Sequence, residues 1–201
     1  MGMKVHSSLV VSQEGVPQGL IHQEVWVRDP ASKGKKHERK KLETKDKESQ
    51  RWLSSLKESQ GSIPEDVKVI TVADREADIY DLFAMERREG SELLIRVVQN
   101  RRVDNEGETK LLWEAIRESP ILGEVIVELG RKGGQPSRKH LIIRVAHVSI
   151  LPPKNRSGSK KLPSIPVSLI LAEEYGAPPG VTFSHIFGTD LSGSYGMCEV
   201  L

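Results

Sequence analysis

Residues 67–83 read VKVITVADREADIYDLF. Five of the first seven residues, Val67 to Ala73, are apolar, and Asp74 stands where the run ends. A short apolar run rich in β-branched residues predicts a strand buried on both faces. The charged stretch that follows carries Ile79, Leu82, Phe83 and Met85 at helical spacing, which predicts a helix over 75–89 closed by Gly90. An acid at a strand-to-helix junction has two uses. It caps the first turn of the helix by accepting a backbone N–H. It can also hold a hard cation at the carboxyl end of a strand, where α/β sheets gather their functional groups. Spacing alone favours the cap for Asp74. It also favours a solvated helix face for Asp78 and Asp81.

Working outward, 6–11 and 19–28 read as strands joined by a turn at 15–17, an antiparallel hairpin. Residues 29–45 form a polar linker with no apolar period. Residues 47–58 read as a helix with a Trp52, Leu53, Leu56 stripe. Up to residue 90 the order is strand, strand, helix, strand, helix, an α/β layer pattern. Beyond it, 93–98, 124–129, 140–150 and 166–173 read as strands, with one short helix at 110–118. This second part is mostly antiparallel β. From Val181 onward no period of either kind is evident. The expected division is therefore 1–90, 91–180 and an aberrant tail, 181–201.

The chain has 201 residues and a net charge of +2, which conceals an uneven distribution. Residues 131–161 hold nine Lys or Arg and no acid, leaving 21 basic against 28 acidic residues elsewhere. A cationic window of this kind attracts polyanions, nucleic acid foremost; a solvated basic surface is the equal alternative. A single cysteine, Cys198, gives no disulfide framework, which suits a reducing cytoplasm. No apolar run approaches the ~18 residues of a membrane span, so no membrane partner is expected. His6, His22 and His147 lack metal-ligand spacing, and no phosphate-binding glycine loop is present.

The stretch Val69-Ile70-Thr71-Val72-Ala73-Asp74-Arg75-Glu76-Ala77-Asp78-Ile79 resembles the second-aspartate motif of bacterial DDE transposases, closest to the cut-and-paste elements of the IS-four family. Four further stretches resemble that family in the same order: VHSSLVVSQEGVPQGLIHQEVWVR (5–28), KESQRWL (47–53), LLIRVVQNRR (93–102) and LAEEYGAPPG (171–180). The resemblance implies an α/β fold: a partial RNase H-like catalytic core followed by a mostly antiparallel β insertion subdomain. It implies a bacterial, cytoplasmic protein that acts on double-stranded DNA at a transposon end, as a homodimer, with two Mg²⁺ or Mn²⁺ ions held by Asp, Asp and Glu. By position, Asp74 is the second metal-binding carboxylate. Arg75 beside it, and Arg96, Asn100 and Arg101, fall along the implied DNA path.

The family's first catalytic Asp lies on a strand ahead of the segment around His6. Its Glu lies on a helix after the insertion, in a Tyr…Arg…Glu…Lys pattern. One carboxylate of three is thus expected here, and with it a chain that cuts no DNA alone. The alternatives are a non-catalytic DNA-binding module and a functionless remnant of a decayed mobile element. The tail after Gly180 is consistent with a frameshift near that codon.

Overall fold

A computed structural model of the chain describes residues 2–27, 49–132, 135–154, 162–176 and 185–188, with the backbone alone for 129–132, 135–137 and 185–188. The polar linker and nearly all of the tail lie outside the described residues. The fold is mixed α/β and mostly antiparallel. The chain divides into two compact units, 1–69 with 85–91, and 70–84 with 92–201.

The first unit is built on the expected hairpin. Strand β1 (Met3–Val11) pairs antiparallel with β2 (Pro17–Val27), Met3 opposite Val27 and Val11 opposite Pro17. Alternation divides the ribbon into two faces. On one face His6 meets the indole of Trp52, from helix α1 (Gln50–Ser62), edge-on at 4.5 Å. Ser8 on the same face hydrogen-bonds Ser55, and the Arg51 guanidinium lies 5.4 Å from the Trp26 ring. Segment 85–91 is tied into this unit by Arg88. Its Nη1 donates to Glu65 O at 2.9 Å, its Nη2 to Val67 O at 2.7 Å, and its backbone N–H to Gln60 Oε1 at 3.0 Å.

An eight-stranded sheet makes up most of the second unit. Its elements are β3 (Val69–Ala73), a 3₁₀ turn (Arg75–Ala77), α2 (Tyr80–Phe83), β4 (Ser91–Val97), β5 (Arg102–Asn105), β6 (Glu108–Leu111), α3 (Leu112–Glu118), β7 (Ile121–Lys132), β8 (Gln135–Ile150), β9 (Ile165–Glu174) and β10 (His185–Gly188). The strand order is β3-β4-β10-β9-β8-β5-β6, with β7 also paired to β8. The β8–β9 ladder runs from Leu141 opposite Glu174 to Ile150 opposite Ile165. The core collects Leu82, Phe83, Leu93, Ile95, Val103, Leu112, Ile116, Ile150 and Leu171, all at most 2% exposed.

Three expectations need correction. Strand β3 is not buried on both faces. Among the described residues it is the last strand of its sheet, and Ile70 and Val72 are exposed, Val72 at 71%. The helix over 75–89 is instead a 3₁₀ turn and the four residues of α2. Asp78 and Ile79 between them are non-helical, at φ −72°, ψ 66° and φ −120°, ψ 134°. Thirdly, Asp78 faces no solvent; it is 1% exposed.

The β5–β6 hairpin had no sequence-based forecast. Its two-residue turn has φ 53° at Glu106 and φ 87° at Gly107, and Asp104 Oδ1 accepts the Gly107 N–H at 2.8 Å. Two positive φ values define the turn that matches strand twist, and it favours Asn-Gly. Glu106→Asn should therefore stabilise the chain, by about 1 kcal/mol, seen as a higher urea midpoint at unchanged m-value.

Candidate functional site

The site assembles at the carboxyl end of β3. Val69 N donates to Gly90 O at 2.8 Å, so β3 and its sheet neighbour β4 begin side by side and end at the same edge. Asp74 follows the last residue of β3, and residues 98–101 follow β4.

Asp74 is exposed. Its Oδ1 accepts the Glu76 N–H at 2.9 Å, capping the 3₁₀ turn. The capping use is thus realised, on a single turn rather than a long helix. Arg75 is exposed beside it. Arg96 is the one exposed residue of β4, whose other positions are buried or half-buried. Its exposure follows from alternation, because Leu93, Ile95 and Val97 point into the core.

Beneath this exposed edge lies a buried polar knot. Asp78 Oδ2 accepts the backbone N–H groups of Val98 at 2.9 Å and Gln99 at 2.8 Å. Arg101 Nη2 donates to Asp78 Oδ1, forming a buried ion pair, and to Asp78 O at 2.6 Å. Gln99 Nε2 donates to the same carbonyl at 2.8 Å. One carboxylate therefore fastens the segment after β3 to the segment after β4. Burial pushes the Arg101 guanidinium below its ordinary pKa, opposed by the charge and hydrogen bond of Asp78. The guanidinium carbon also lies 5.7 Å from the Phe83 ring, a cation–π contact.

The five residues singled out in the sequence thus divide. Asp74, Arg75 and Arg96 are exposed at or near one sheet edge. Arg101 is held by Asp78, with a side chain only 10% exposed. Asn100 is exposed, but its Oδ1 accepts the Trp113 N–H at 3.0 Å, satisfying a first-turn donor of α3. Asp78 was missed as an organising residue. Its partners are 20 to 23 residues away, and local spacing carries no trace of them.

The basic window reads differently once folded. The β7–β8 register sets Glu128 opposite Arg138 and Glu124 two positions from the partner of His140. Arg138 Nε donates to Glu128 Oε1 at 2.8 Å, His140 Nε2 lies 2.7 Å from Glu124 Oε2, and Lys139 is paired with Glu174. Arg144 donates to the Ser119 carbonyl. Neighbouring strands bring acids to cations that stand alone in the sequence.

Elsewhere, an open depression of about 450 Å³ is lined by Asp104, Glu106, His147 and Ser168 among others. His147 Nδ1 lies 3.0 Å from Ser168 Oγ. Among the described residues no three His, Cys, Asp or Glu side chains converge to hold a metal ion. No described helix is long and apolar enough to cross a membrane. No family model matches this sequence.

Proposed function

We propose that this chain binds double-stranded DNA as part of a DDE-transposase-type protein, gripping the phosphate backbone at the shared carboxyl edge of β3 and β4, and that alone it cuts no DNA. The observation that carries the reading is the Asp74-Arg75 pair, exposed at the mouth of β3 beside the strand that carries exposed Arg96. The five sequence stretches that resemble the family in register support it. An RNase H-like core around β1–β4 is the fold that the reading implies.

Arginine suits the role because its planar fork binds phosphate oxygens in pairs. Arg75 and Arg96 make the contacts in this proposal. Asn100 and Arg101 act as positioning residues, through the α3 N–H and Asp78. The family's pair of Mg²⁺ or Mn²⁺ ions requires three converging carboxylates, which activate the attacking oxygen and stabilise the leaving one. The described donors do not fit such a centre: Asp74 is one carboxylate, and the nearby Asp78 carboxylate is enclosed by two backbone N–H groups and Arg101. No cleavage step is assigned to this chain. The basic window is the weaker docking face, because Arg138, Lys139 and Arg144 already have carboxylate or carbonyl partners.

Fluorescence anisotropy with a labelled duplex tests the reading. Affinity should fall steeply with salt, and Arg75→Ala and Arg96→Ala should each weaken binding for all sequences and flatten the log–log salt slope by about 1. Absence of binding at ~50 mM salt would sink it, as would a double variant with the wild-type slope. A nicking assay with Mn²⁺ tests the second half; nicking abolished by Asp74→Ala would overturn the claim that the chain is silent alone.

A further inference from the structure

Where β5 leaves β8, the sheet of the second unit has a gap. β9 pairs with one edge of β8 from Leu141 to Ile150. The other edge is shared: β7 pairs with it up to Arg144, and β5 only at Ser149 and Ile150. β5 then turns away through Glu106 and Gly107. Leu151 N donates to Arg102 O at 3.0 Å, so the odd-numbered residues of β8 aim their backbone groups at this second edge. His147 therefore presents its N–H and C=O to the gap, where among the described residues no strand lies opposite.

Alternation decides which side chains join them. Val103, Val148 and Val167 point into the core, each at most 5% exposed. Asp104, His147, Ser149, Pro166 and Ser168 share the opposite face, because Asp104 stands across from Ser149, Ser149 from Pro166, and His147 from Ser168. With Glu106 they line the open depression of about 450 Å³, a volume ordinary for a small-molecule site. Ser168 is 8% exposed, and its hydroxyl meets His147 Nδ1. Asp104 Oδ1 holds the Gly107 N–H. Asp104 Oδ2 and the Glu106 carboxylate have no partner among the described residues. None of the lining residues is Lys or Arg. The depression thus offers two carboxylates, two hydroxyls and a strand carbonyl, rich in acceptors and negative without a counter-charge.

We propose that this depression binds a primary alkylammonium group. An ammonium is a compact charge with three rotatable donors. The acceptors here approach from a turn and two strands, not in the single plane that a guanidinium fork needs. The methylene chain of the ligand lies along the Pro166 ring, as long cationic chains lie on apolar surface. Such a group belongs to a free polyamine or to a lysine side chain of another protein, and the recognition chemistry is the same for both. The site repels phosphate, so the proposal does not rest on the DNA reading.

NMR titration of the isotope-labelled full chain at ~0.15 M salt tests it. The probes are butylamine, spermidine and Nα-acetyl-lysine amide. Each should shift the Gly107, His147 and Ser149 amides to saturation, spermidine and the lysine amide with dissociation constants of about 1 mM or below. Spermidine at least ~5-fold tighter than the lysine amide identifies a free polyamine, and a smaller ratio identifies a lysine side chain; both sustain the site. Asp104→Asn and Glu106→Asn should each weaken binding at least ~5-fold, since a charge-assisted hydrogen bond becomes a neutral one. Both variants preserve the turn, because an Asn side chain still accepts the Gly107 N–H and is favoured at positive φ. Butanol, the uncharged analogue, should leave the amides unmoved. No saturable shift by ~10 mM spermidine overturns the proposal. So do shifts scattered over other acidic surfaces, either variant binding as wild type does, butanol matching butylamine, and butylguanidine binding more tightly than butylamine.

Discussion

Asp78→Ala should destabilise the second unit by about 3–5 kcal/mol, the range for removing one partner of a buried ion pair. The loss is large because the carboxylate has several partners at once. Without it, the Val98 and Gln99 N–H groups lose their acceptor, and the Arg101 guanidinium stays buried with no counter-charge. Urea unfolding followed by far-UV dichroism measures the effect, and a loss under ~1 kcal/mol would refute the account. Replacing both partners separates pairing from packing. Asp78→Leu with Arg101→Met should recover much of the loss, because an apolar pair of similar volume needs no counter-charge. The two N–H groups of the β4–β5 loop would still lack their acceptor, so recovery should be incomplete.

Phe83→Ala should have a comparable effect, about 3–5 kcal/mol, through the cavity that it leaves. Phe83 is 2% exposed, and Leu82 beside it is equally buried. These two side chains hold the four-residue helix α2 to the sheet, a helix too short to persist on its own turns. Phe83 also lies under the Arg101 guanidinium, so its loss should couple to that of Asp78. A double-mutant cycle of Asp78→Ala and Phe83→Ala should depart from additivity by at least ~0.5 kcal/mol, and strict additivity would separate the two groups.

Alternation made most strands legible. In β7, Val125 and Val127 are less exposed than Glu124, Ile126 and Glu128, as period-two reading forecasts. The hairpin at the start and the strands around 93–98, 140–150 and 166–173 were found with ends within a few residues. The segment after Asp74 was misread for a physical reason. Ile79, Leu82 and Phe83 have helical spacing, but the Asp78 side chain is held by residues after β4, and that tie opens the backbone at 78 and 79. β3 looked doubly buried because five apolar residues in seven say nothing about how many neighbours a strand has. Of the candidate site, Asp74 and its capping bond were readable from position. The fate of Arg101 and Asn100 was not, because it is decided by Asp78 and by the Trp113 N–H, 23 and 13 residues away. The pairing of the basic window was not legible either, since a charge count along the chain cannot see Glu128 and Glu174 arriving from adjacent strands.

The strand order has a consequence for synthesis. One edge of β4 meets β3 and the other meets β10, so Arg96 at position 96 finds its ladder partner at Ile186. A ribosome adding about 5–20 residues per second leaves that edge of β4 open for roughly 4–18 s. During that interval an apolar strand with unpaired N–H and C=O groups is available to any other extended chain. The hazard is set by topology and elongation rate rather than by the stability of the finished sheet. Slower translation between β4 and β10 should therefore raise the share of newly made chain that needs a chaperone, while leaving the folded product unchanged.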